Sequence, residues 1–205
     1  MTNDFVLSRR SHPIRFLTLW VLANLAGGYL VGFLENNGFQ FMATLILSGA
    51  IIGSFQWLLL RRLGGFRWWP IASALGWIAA VYLDMGIRWL YVPLLNQIGL
   101  SPSDEGFLLN LGLSRSVWIS GMAIAQGVAV RPQRCRWTGV WLLSSLLGGA
   151  VATLLSRGLC ATFCAALPPS LVGLVAGAGW AAYGLITGLV WLFLSGRHSD
   201  RQEAA

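Results

Sequence analysis

Apolar stretches of about 20 residues, cut apart by short arginine-bearing turns, dominate this chain of 205 residues. A nearly uncharged run of that length can cross a hydrocarbon core roughly 30 Å thick as a helix. Only 10% of the residues are charged and 56% are hydrophobic. A soluble domain carries about a quarter charged residues, so this chain could not cover its own surface with polar groups. The sequence therefore reads as an all-α integral membrane protein.

Six transmembrane helices are expected, at about 14–34, 39–60, 68–89, 111–130, 137–156 and 170–194. They form a single membrane domain, with tails at 1–13 and 195–205. Residues 90–110 make a long connection, expected to include an interfacial helix on the outer face. Arg115 sits close to the start of span 4. Frequent Gly and Ser are ordinary in membrane helices, where small residues let backbones approach.

All 14 basic residues are arginines. Arg9, Arg10 and Arg15 precede span 1, and Arg61, Arg62 and Arg67 join spans 2 and 3. Arg131, Arg134 and Arg136 join spans 4 and 5, while Arg197 and Arg201 follow span 6. The positive-inside rule then places both termini in the cytoplasm of a bacterial inner membrane, or on the equivalent side of a thylakoid-type membrane. The sequence pI near 10.4 follows from these turns and implies no nucleic acid. "SRR" at Ser8–Arg10 lacks the apolar stretch of a twin-arginine signal, so it reads as the flank of a first anchor. Cys160 and Cys164, on the outer side, could form a disulfide if that face is oxidising, but a four-residue helical spacing is awkward for one, so two buried thiols are expected.

A pattern recurs at the start of each odd-numbered span: Trp20/Asn24/Gly27, Trp69/Ser73/Gly76 and Trp141/Ser145/Gly148. Positions i, i+4 and i+7 share one helix face. The even-numbered spans carry small pairs four apart, at Gly49/Gly53, Gly121/Ala125 and Gly184/Gly188. Gln56 and Gln126 each stand five residues before an arginine. Three tandem hairpins, parallel copies about a pseudo-threefold axis along the membrane normal, account for this pattern. Lipid is as apolar as leucine, so the small pairs would hold the helices together by close packing.

Polar side chains inside the hydrocarbon are costly and invite a functional hypothesis. Asn24, Ser73 and Ser145 would form a ring about the axis, lining a solute path or, more simply, hydrogen-bonding between helices. Gln56 and Gln126 could hold a lipid headgroup or ligate the magnesium of a chlorophyll-type pigment. Trp20, Trp77 and Trp180 lie deep enough to pack against a partner, a lipid or a carotenoid-type pigment. Trp57, Trp68, Trp69, Trp137 and Trp191, near arginines, are expected in an interfacial belt. Asp84 and Arg88, one turn apart, suggest an ion pair that Arg115 could join. His12 and His198 both lie outside the spans, so neither haem nor a metal site is expected. No catalytic motif is present, and the chain reads as a non-enzyme.

The stretch "QWLLLRRLGGFRWWPIASALGW" resembles a group of multi-span membrane proteins from cyanobacteria and related photosynthetic or filamentous bacteria. Gln56, Trp57, Leu60, Arg61, Trp69, Ser73, Gly76 and Trp77 carry the resemblance, and "GWAAYGLITG" at Gly179–Gly188 looks like the group's closing helix. Span 4 departs from it, with Gly127 after the glutamine and "RPQRCR" in the turn. The resemblance implies a fold and a lineage but no activity. Two functional readings follow. One is a non-catalytic accessory, assembly or scaffold subunit that packs against a larger membrane complex, with bound lipid or pigment. The other is a small-solute transporter, or a substrate-binding membrane subunit, using the polar ring.

Overall fold

A computed structural model describes the backbone of residues 13–61, 66–97, 104–129 and 135–203. Side chains are described at 13–61, 66–87, 89, 93, 97, 115–129 and 138–193. The first tail, the basic turn at 130–134, and the side chains of Arg88, Trp137, Arg197 and Arg201 lie outside the described residues.

Among the described residues, six long helices follow one another: α1 (Pro13–Asn36), α2 (Gln40–Leu60), α3 (Trp69–Gln97), α4 (Asp104–Ala129), α5 (Cys135–Phe163) and α6 (Pro169–Glu203). Proline stands at the first position of α1 and α6 and at the second of α3, where its missing N–H costs nothing. The α1–α2 turn closes on Gly38, at φ +92°. Asn36 Nδ2 and Asn37 Nδ2 donate back to the carbonyls of Gly32 and Phe33, each at 2.7 Å. These bonds satisfy carbonyls that the helix end leaves without a partner.

Each helix packs on its chain neighbours, and α1 closes against α6 to complete a ring in chain order. Five helical stretches among the described residues are long and apolar enough to cross a membrane: Pro13–Asn36, Gln40–Leu60, Trp69–Ile87, Thr138–Phe163 and Pro169–Phe193. Large apolar side chains such as Leu22, Leu75, Leu143, Leu147 and Leu189 point outward. That surface suits lipid.

Several boundaries differ from the sequence reading. The connection expected at 90–110 is largely helix, because α3 runs on to Gln97 through Pro93 and α4 begins at Asp104. At 29 residues, α3 is about 43 Å long at 1.5 Å per residue. It thus outlasts a hydrocarbon core of roughly 30 Å. α5 similarly extends beyond the expected 156, so Arg157 and Cys160 lie on the helix.

Inside α2, Ala43–Leu47 form a π-helical segment. Ser48 Oγ donates to the carbonyl of Ala43 at 2.6 Å, and the carbonyl of Thr44 accepts the Trp77 indole N–H at 2.9 Å. The wider turn helps present a backbone acceptor to a neighbouring helix.

The small pairs sit at close approaches between helices. A Cβ on Gly49 or Gly53 would fall within 3.0 Å of α3 atoms at Ser73 or Trp77. On Gly121 it would meet Ala80 and the Gly76 carbonyl, and Ala125 stands opposite Gly76. Gly184 and Gly188 lie against Asn24 and Trp20 of α1.

Candidate functional site

Two apolar clusters fill the ring, one nearer the chain termini and one nearer the far end. Trp20, Trp69, Trp141 and Trp191 join Leu60 and Ala123 in the first. Ring centroids in its Trp20/Trp69/Trp141/Trp191 group lie 5.8–6.4 Å apart for the touching pairs, within the range of favourable aromatic contact. Trp69 and Trp191 were expected in an interfacial belt and are instead buried here. Their rings pack with Trp20 and Trp141 inside the cluster, and the Trp69 indole finds an acceptor there. Trp57 is half-buried and Trp68 exposed, with the guanidiniums of Arg61 and Arg67 over their rings at 5.7 and 5.1 Å.

Between the clusters runs a polar layer, one turn deeper than the tryptophans. Asn24, Gln56, Ser73, Gln126, Ser145 and Thr187 are all fully buried there. Gln56 is the hub. Its Nε2 donates to Asn24 Oδ1 at 3.0 Å, while its Oε1 accepts Trp69 Nε1 at 2.9 Å and Gln126 Nε2 at 3.2 Å. Gln126 Nε2 also donates to Ser73 Oγ at 2.8 Å, and Gln126 Oε1 accepts Trp141 Nε1 at 3.3 Å. Ser73 Oγ donates to the Trp69 carbonyl at 2.7 Å.

The other side of the ring connects through backbone carbonyls. Asn24 Nδ2 donates to the Trp20 carbonyl at 2.8 Å, and Trp20 Nε1 donates to Thr187 Oγ1 at 3.1 Å. Thr187 Oγ1 donates to the Tyr183 carbonyl at 2.8 Å, and Tyr183 Oη donates to Ser145 Oγ at 3.2 Å. Among the described residues, no buried side-chain nitrogen or oxygen lacks a partner. An amide oxygen has two lone pairs, and both on Gln56 are used. That leaves its carbonyl without capacity for a pigment magnesium, and the Gln126 carbonyl is already engaged by an indole. Among the described residues, the layer contains neither carboxylate nor imidazole.

Trp77 and Trp180 belong to the far cluster with Trp118, Ile119, Met122 and Tyr183. Trp20, Trp77 and Trp180 all face the bundle interior. Their rings pack against other interior aromatics, as in the Trp77–Trp118, Trp180–Tyr183 and Trp20–Trp141 contacts at 5.7, 5.2 and 6.4 Å.

Asp84 is buried and accepts Trp118 Nε1 at 3.2 Å. Arg115 makes an ion pair with Glu35 of α1 at 3.5 Å and lies over the Trp118 ring at 5.7 Å. The expected local pair of Asp84 with Arg88 depends on a side chain outside the described residues. Cys160 and Cys164 form a disulfide, with Cα atoms 4.6 Å apart. This corrects the expectation of two buried thiols. α5 ends at Phe163, so Cys164 is the first residue of the following turn, its N–H still bonded to the Cys160 carbonyl at 3.0 Å. Cys160 is also exposed instead of buried.

A half-open cavity of about 250 Å³ occupies the far end. Glu35 and Asn36 of α1, Arg115 of α4 and Arg157 of α5 line its rim, above a floor that includes Ile119 and Trp180. No family model matches the sequence, and neither a curated protein nor a solved structure matches it.

Proposed function

We propose that the chain is a six-span bacterial inner-membrane protein, non-catalytic, serving as an accessory or scaffold subunit beside a larger membrane complex. Both termini are cytoplasmic in this reading, and α4 supplies the sixth span. The observation that carries it is the sealed interior. The axial polar layer is buried, its hydrogen bonds are internal, and an aromatic cluster closes the end beneath it. A carrier would need polar groups open to solute or an evident ion site along that axis. With the interior committed to holding the ring together, action falls to the outer surfaces.

A threefold repeat belongs to the same proposal. An indole of each odd-numbered helix donates to a polar side chain on the helix before it in the ring. The steps are Trp69 to Gln56, Trp141 to Gln126 and Trp20 to Thr187, at 2.9, 3.3 and 3.1 Å. Four residues before each acceptor stands a fully buried side chain: Ile52, Met122 or Tyr183. The third copy thus has Thr187 where the others have glutamine.

The test is extraction from the native membrane in mild detergent, with native mass and absorption spectrum recorded on what co-purifies. Stoichiometric additional subunits are expected, with lipid or pigment held at their contact. A lone, colourless protein that moves a solute when placed in vesicles would overturn the scaffold reading.

A further inference from the structure

The far-end cavity brings together groups that the sealed axis does not use. Arg115 and Arg157 come from different helices, yet both line it together with the carboxylate of Glu35. That carboxylate is only loosely engaged with arginine. Glu35 Oε1 accepts the Thr44 hydroxyl at 2.6 Å, while Arg115 Nη2 stands 3.5 Å away, beyond the roughly 2.7–2.9 Å of a charge-assisted hydrogen bond. The hydroxyls on the α5 wall point to backbone, Thr153 to Gly149 at 2.8 Å and Ser156 to Val175 at 3.4 Å. The guanidiniums are therefore the donors best suited to a guest.

Arg157 has a further contact of its own. A guanidinium carries five N–H donors in a planar fork and can engage more than one partner at once. Arg115 and Arg157 bring two positive charges to a cavity that Glu35 also lines, and an anion held between the two guanidiniums is favoured by both. The volume limits the guest. At about 250 Å³, the space falls just below the roughly 300–1,000 Å³ of pockets that enclose a drug-sized molecule. It suits a compact headgroup.

We infer that this cavity is a binding site for a phosphate-type oxyanion, clamped between Arg115 and Arg157 and opposed by Glu35. The oxyanion is either free or the headgroup of an anionic phospholipid. This site is independent of the scaffold reading, since it requires only the far end of the folded chain.

The experiment uses the full chain, delipidated in detergent, with two probes. Inorganic phosphate is measured by equilibrium dialysis, and phosphatidylglycerol retention by native mass spectrometry, with phosphatidylcholine as the neutral comparison. Saturable phosphate binding identifies a free oxyanion as guest. Selective phosphatidylglycerol retention without phosphate binding identifies a lipid headgroup. In either case Arg115→Gln and Arg157→Gln should each weaken binding about tenfold, the loss of one hydrogen bond to a charged group. Glu35→Gln should strengthen it several-fold, because it removes the competing negative charge while keeping an acceptor for Thr44.

The opposite signs separate a binding site from general damage to the fold. Should an arginine variant fail to fold, the direction of the Glu35→Gln effect decides. Binding of neither probe, equal retention of phosphatidylcholine, or weaker binding in Glu35→Gln would overturn the inference.

Discussion

Replacing Gln56 by leucine removes the hub of the polar layer while nearly preserving volume. Asn24 Oδ1 loses its donor, Trp69 Nε1 loses its acceptor, and Gln126 Nε2 keeps only Ser73. Interhelical hydrogen bonds in membrane proteins average about 0.6 kcal/mol, with a maximum near 1.7, because the unfolded chain in the membrane also finds partners. Three such bonds give about 2 kcal/mol. Two polar groups are also stranded in a layer with no exposure, and a buried unsatisfied group costs about 1–3 kcal/mol. The expected loss therefore runs from about 2 kcal/mol if water enters the layer to about 4–8 kcal/mol if it cannot. Reversible unfolding in mixed micelles, followed by tryptophan fluorescence, would measure it. A double-mutant cycle with Trp69→Phe should show coupling of about 0.5 kcal/mol or more between the two sites. If Gln56→Leu unfolds within about 0.5 kcal/mol of the parent, a magnitude typical of uninvolved surface changes, the layer does not hold the ring together.

Gly121→Val places side-chain atoms against Ala80 and the Gly76 carbonyl. It should cost about 1–3 kcal/mol by overpacking in the same unfolding assay, whereas Gly86→Ala, with open space around it, should be neutral. Tyr183→Phe removes only the donor to Ser145 and should cost about 0.6 kcal/mol, well below Gln56→Leu. In a Cys135→Ser background, a maleimide should label neither Cys160 nor Cys164 until reductant is added, and both afterwards. Labelling without reductant would contradict the disulfide.

Much of this architecture is legible in the residues themselves. Charge-free runs separated by arginines mark the helices because the bilayer leaves little alternative for a long apolar segment. The Trp, small polar and Gly spacing marks interior faces because i, i+4 and i+7 coincide on a helix, and Asn24, Ser73 and Ser145 are all buried. Other features depend on how the helices meet. Thr187 is an unremarkable residue until α6 closes on α1 and brings it to the Trp20 indole. The Gly184/Gly188 pair marks a seam with α1, but pairing it with Gly49/Gly53 by glycine alone hides the acceptor register. Trp69 and Trp191 look interfacial beside arginines, since proximity in sequence to a charge does not fix which way an indole points. The Glu35–Arg115 pair likewise arises from a contact between distant residues.

The sealed axis is tested most directly by hydrogen exchange at the tryptophan indoles, read by NMR on protein carrying nitrogen-15 tryptophan. The indole N–H groups of Trp20, Trp69 and Trp141 should exchange far more slowly than those of the exposed Trp68 and Trp89. Rapid exchange at Trp69 and Trp141, matching the exposed pair, would mean that water reaches the polar layer and that the ring is a path instead of a seal.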